Sequence, residues 1–165
     1  MIKTLALSAL ALAVIIVPAG AQAATGMAAM QYYVGTWSCS AGNVGQTPSK
    51  ATATYALDSG VLQGTVLVPA QGKMTKPYAF SAATSYDSKS GRYVQTSLDN
   101  QSVWSVSYAK PWTGNTEMWM DHASSTGKLT HGTTVRTNAT SFSFAGYPTL
   151  TSTTPNFKGS CTRSS

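Results

Sequence analysis

From Tyr33 onward the chain alternates: apolar or β-branched residues take every second position in short runs, and clusters of Gly, Ser, Asp, Asn and Pro separate the runs. Period-two patterning of this kind, punctuated by turn residues, is the signature of half-buried strands. Residues 33–39, 51–57, 61–68, 78–86, 92–98, 102–108, 116–122, 129–137, 141–147 and 156–163 read as strands. Asp58-Ser59-Gly60, Asp87 to Gly91, Asp99-Asn100-Gln101 and Ser124 to Gly127 read as turns. Only Thr25 to Gln31 has room for one or two helical turns before the first strand. The absence of helical periodicity beyond it excludes a parallel α/β architecture. About ten short strands on short connections predict an all-β fold: a single antiparallel up-and-down barrel with a short N-terminal helical segment.

The first and last strands each carry one of the two cysteines, Cys39 and Cys161. An antiparallel register that joins them also sets Trp37 opposite Arg163, with both pairs on one face. A bond there would stitch the terminal strands together and close the sheet, removing the edges that invite aggregation.

Residues 1–23 have a different character. Lys3 opens a positive start, Leu5 to Val17 is apolar, Pro18 and Gly20 break the run, and Ala21-Gln22-Ala23 is a small-x-small cleavage site. This is the pattern of a secretory signal peptide, and the apolar run is shorter than the ~20 residues of a membrane span. The expectation is an exported protein, periplasmic or secreted, with one barrel domain over residues 24–165 and no membrane span. Export permits the disulfide. The formal net charge of +6 is spread along the chain with no basic run, which argues against a nucleic-acid partner. No protein partner is assigned.

Val34-Gly35-Thr36-Trp37-Ser38-Cys39 at the start and Arg163 at the end resemble the lipocalin-type (calycin-like) barrels, in which a Gly-x-Trp tryptophan closes the barrel floor under a basic residue from a late strand. More closely, the chain resembles a family of exported bacterial proteins, lipocalin-like in fold, carried as a domain of unknown function. The matching stretches are Val34 to Cys39, Tyr86 to Val94, Asp99-Asn100, Trp104 to Asn115, and the terminal Cys161. The resemblance implies a lipocalin-like barrel of ligand size and brings no established activity.

The chemistry-bearing residues are few. Asp58, Asp87 and Asp99 sit in turn signals. Glu117 and Asp121 share a strand face opposite His122, so they form no acid–histidine dyad with it, and no Gly-x-Ser-x-Gly elbow occurs. No catalytic residue is assigned. Met118, Met120 and His122 fall on one face, with His131 on the next strand. Thioether and imidazole suit Cu(I) or haem iron, while methionines also simply fill irregular barrel interiors. No metal and no cofactor is assigned. Haem barrels resembling nitrobindin use a late histidine, and His122 and His131 are the only candidates here.

Strand alternation then bears on the interior. On 102–108 the bulky set Trp104, Val106 and Tyr108 opposes Ser105 and Ser107; on 116–122, burying Glu117 and Asp121 unpaired would cost several kcal/mol each. The expectation is that Trp104, Tyr108, Met118, Met120, His122 and His131 line a pocket for a small hydrophobic or planar molecule, with Trp119 and Arg136 outside. That describes an exported carrier or sensor. The alternatives are a filled barrel serving protein interaction, a haem or copper binder, or an enzyme. Asn138-Ala139-Thr140, although a sequon, reads as a turn.

Overall fold

The computed structural model describes residues 26–164, so the segment expected to be a signal peptide lies outside it. Ten antiparallel strands follow one 3₁₀ helix, η1 (Gly26–Tyr33): β1 (Gly35–Asn43), β2 (Ser49–Asp58), β3 (Val61–Val68), β4 (Tyr78–Asp87) and β5 (Arg92–Asp99), then β6 (Trp104–Ala109), β7 (Thr116–Ser124), β8 (His131–Asn138), β9 (Ser141–Tyr147) and β10 (Phe157–Arg163). Each strand pairs with its neighbours in sequence, and β10 pairs with β1 to close the barrel. Residues 139 and 140 form the tight turn between β8 and β9.

The seam has the expected register: Cys39 pairs with Cys161 and Trp37 with Arg163, and the cysteines form a disulfide spanning 122 residues of sequence. A bridge across so long a loop stabilises by about 4–5 kcal/mol in the chain-entropy account. It also fits an oxidising compartment.

η1 plugs the end at which β1 begins. Met30 and Tyr33 are buried there with Trp37, Ala53, Leu62, Tyr93, Ala109 and Phe142. Trp37 is fully buried, and its indole N–H donates to the Tyr33 carbonyl at 2.7 Å. Arg163 lies over the indole and donates to the carbonyls of Val34 and Tyr32, tying helix, first strand and last strand together. Gly35 makes this approach possible. Its φ is +125°, and a Cβ there would stand 2.8 Å from an Arg163 guanidinium nitrogen.

Cross-strand partners share a face, so the inward position of Trp37 carries around the barrel. On β6 the inward residues are Ser105, Ser107 and Ala109; on β7, Glu117, Trp119 and Asp121; on β8, Gly132, Thr134 and Arg136. This inverts the expected faces of all three strands. Trp104, Tyr108, Met118, Met120, His122 and His131 face outward, while Trp119 and Arg136 face inward.

Two physical reasons account for the inversion. The carboxylates find hydrogen-bond donors inside: Asp121 accepts from the Ser107 hydroxyl at 2.7 Å and from the Thr130 hydroxyl and amide at 2.6 and 3.0 Å. Glu117 accepts from Trp119 Nε1 and the Tyr33 hydroxyl. Interior volume is the second reason. The plug and the neighbouring strands bring Tyr33, Trp37, Tyr93 and Trp119 into the closed end, and small residues on β6 leave room for them.

Candidate functional site

The two ends of the barrel interior differ. The fully buried inward side chains, among them Trp37, Leu62, Tyr93, Ala109, Glu117 and Phe142, lie toward η1, beside half-buried ones such as Tyr55 and Trp119. Toward the other end, bounded by the loops 44–48, 69–77, 100–103, 125–130 and 148–156, the inward residues Ala41, Ala51, Val66, Phe80, Ala82, Ser97, Ser105, Asp121 and Phe144 are only half-buried. Phe157, also inward, is 37% exposed. Inward-facing side chains reached by solvent mark a cup open at this end.

Its walls are chemically unlike. Val66 and Phe80 are cross-strand partners on β3 and β4, and Phe144 and Phe157 meet with ring centroids 6.0 Å apart on β9 and β10. Between these apolar surfaces, β5 to β7 present polar side chains. The Ser97 and Ser105 hydroxyls are hydrogen-bonded at 2.9 Å. Gln95 donates to Thr84 at 3.0 Å, and Asp121 stands on the same wall. At the rim Tyr78 donates to Asp99 at 3.1 Å, and burial followed by the carboxylate's charge pushes its phenol up to about 12. Gly159 admits the Phe144 ring: a Cβ there would come within 2.3 Å of the ring and 2.6 Å of Ala41.

Beneath the cup, against the plug, lies a polar cluster that the sequence did not single out. Glu117 is 1% exposed. One oxygen accepts from Trp119 Nε1 at 3.0 Å and Tyr33 at 3.3 Å, and the other has no partner. Desolvation raises its carboxyl to about 7, opposed by those two hydrogen bonds and by the charge of Arg136. Arg136 stacks between Trp112 and Tyr32, 3.7 and 4.4 Å from their ring centroids, and donates to the Ala29 carbonyl at 2.8 Å. Its Nε and Trp112 Nε1 have no partner. A buried acid, an arginine and a loop tryptophan are thus gathered under η1. The period-two pattern of β7 and β8, read with the opposite face turned inward, could have located the acid and the arginine, but not the loop tryptophan.

The residues expected to line a pocket gather instead on the outer wall of β6 to β9. Trp104, Met118 and Met120 are 44%, 50% and 42% exposed. Tyr108 meets His122 edge-on at 5.1 Å, and His131 stacks on Tyr147 at 4.2 Å. Trp112 and Trp119 belong to the closed end. Two shallow recesses also lie on the outer wall, one over β3 to β5 around Thr65, Ser81 and Thr96, the other over the seam around Ser40, Lys50 and Ser160. Among the described residues, no group of three or more His, Cys, Asp or Glu is placed to hold a metal, and no helix is long and apolar enough to cross a membrane.

No family model matches the chain, and no curated protein matches it. Among solved structures it is similar to a redesigned beta barrel, at 15% identity and a TM-score of 0.44, covering 82% of this chain and 94% of that one.

Proposed function

We propose that this protein is an exported, periplasmic or secreted, lipocalin-like barrel that carries or senses a small amphipathic molecule held in the open half of the barrel. The carrying observation is that the fully buried inward side chains cluster at the plugged end, whereas those toward the other end are all reached by solvent. The apolar pair of walls, Val66 with Phe80 and Phe144 with Phe157, suits a hydrocarbon or planar body. The Ser97, Ser105 and Asp121 wall suits its polar end.

The test is native mass spectrometry of the protein purified from its own host, paired with uptake of a fluorescent apolar probe and its displacement by lipid extracts. A retained small molecule, or saturable probe uptake that the extract reverses, supports the carrier. A ligand-free protein that takes up no probe rejects it.

One observation favours a second reading, a protein-interaction module. Leu98, Trp104, Met118 and Met120 leave apolar surface exposed on the outer wall of β5 to β7. Under that reading the protein co-purifies with a protein and not with a small molecule.

A further inference from the structure

On the outer wall, Met120 of β7 is the direct cross-strand partner of His131 on β8. Met118 lies two residues along β7 on the same face, opposite Thr133. Directly opposed positions hold their Cβ atoms about 4.5–5.5 Å apart and diagonal ones about 7–8 Å, within the combined reach of two flexible thioethers and an imidazole. Both methionines are about half exposed, so nothing needs to open for an ion to arrive.

His131 is already set up as a ligand. Its Nδ1 lies 2.8 Å from the Thr149 carbonyl. A carbonyl oxygen only accepts, so Nδ1 carries the proton, and the lone pair of the neutral ring is left on Nε2. The stack on Tyr147, with planes 7° apart, fixes the ring orientation. An imidazole held by one N–H on a backbone carbonyl, with the other nitrogen free, is the arrangement by which proteins orient metal-binding histidines. His122, two residues beyond Met120, meets Tyr108 on β6, while His131 leans toward Tyr147 on β9, so the two thioethers must reach across β8 to its ring.

We infer that Met118, Met120 and His131 form a surface site for a soft monovalent metal ion, Cu(I) or its redox-silent analogue Ag(I), on the outer wall of the barrel. Two thioethers and one imidazole select Cu(I) over Zn(II), Ca(II) and Mg(II), which favour thiolate, carboxylate or carbonyl donors. The donor set contains no thiolate, so disulfide formation does not consume it. The site is independent of any ligand held inside the barrel.

The test is titration of the purified disulfide-bonded protein with Ag(I), and with Cu(I) against a chromophoric chelator, followed by NMR of the methionine methyls and histidine ring. The expected result is one equivalent bound, with the Met118, Met120 and His131 signals shifting. Met120→Leu and His131→Phe, which keep bulk and stacking, each weaken binding at least about tenfold. His122→Phe and Met74→Leu leave it unchanged. Because the Met120 and His122 side chains are exposed, thermal unfolding of their variants matches that of the parent protein, and His131→Phe, which gives up the hydrogen bond to Thr149, is titrated well below its own unfolding midpoint. Failure to bind Ag(I), binding that survives both Met120→Leu and His131→Phe, an equal loss with His122→Phe, or equal affinity for Zn(II) overturns the assignment.

Discussion

The guanidinium carbon of Arg163 sits 4.4 Å from the centre of the Trp37 ring, and the two residues are register partners across the closing strand pair. The contact joins three parts of the chain, because the same guanidinium donates to the carbonyls of Val34 and Tyr32. It covers the floor of the barrel with a charge whose hydrogen bonds end on backbone oxygens that would otherwise lose them.

Replacing Arg163 with Ala removes the cation–π contact and leaves two carbonyls short of a donor. The expected loss is about 2–4 kcal/mol, read as a lower urea midpoint. Arg163→Lys should recover only part of it, since an ammonium cannot reproduce the planar fork. An unchanged midpoint for Arg163→Ala would show that the floor is held by the plug alone.

Opening the Cys39–Cys161 bridge should destabilise by up to about 4–5 kcal/mol, because it frees a loop of 122 residues in the unfolded chain. The comparison is urea unfolding of the protein with and without reductant, alongside the Cys39→Ser/Cys161→Ser double variant. Coincident unfolding curves would refute the stabilising role.

Glu117 gives stability a pH dependence of definite sign. Burial lifts its carboxyl from 4.5 to about 7 in the folded protein. Between those values the folded state holds a proton that the unfolded chain has released, so stability falls as pH rises through the window. The loss, about 3 kcal/mol, is complete above about pH 7. Glu117→Gln should remove this slope and be at least as stable as the parent at pH 8. Urea midpoints at pH 5 and pH 8 decide it, and the variant carries any histidine contribution as its own control. A parent protein that is more stable at pH 8, with the variant running parallel, would contradict the assignment.

The proposed cup and the outer wall can be separated by mutation. Ser97→Phe places a ring into the open half from β5 and should weaken apolar-probe uptake by about tenfold or more, about 1.4 kcal/mol. Trp104→Ala, on the outside of β6, should leave uptake unchanged. Reversed effects would move probe binding to the exterior.

The sequence by itself determined the architecture. Ten alternating runs, the turn residues between them and one cysteine in each terminal strand fix a closed meander and the Trp37–Arg163 register, because these follow from local patterning and a single possible disulfide. Phe142 and Phe144, alternating with Ser141 and Ser143, already state which face of β9 turns inward.

The faces of β6, β7 and β8 were decided by the tertiary structure. An isolated strand offers only a hydrophobicity argument, and that argument favours hiding Trp104, Met118 and Met120 over Glu117 and Asp121. In the closed barrel the choice on each strand is bound to its neighbours' register, and the interior has room for only so many large side chains. Ser107 and Thr130 satisfy Asp121, whereas Tyr33 and Trp119 supply donors to only one oxygen of Glu117, whose burial cost is offset in part. Apart from Trp119, on β7 itself, those partners come from the plug, a neighbouring strand and a loop, so their approach depends on the folded geometry. The same geometry turns Met118, Met120 and His131 outward and sets Thr149 behind the His131 ring.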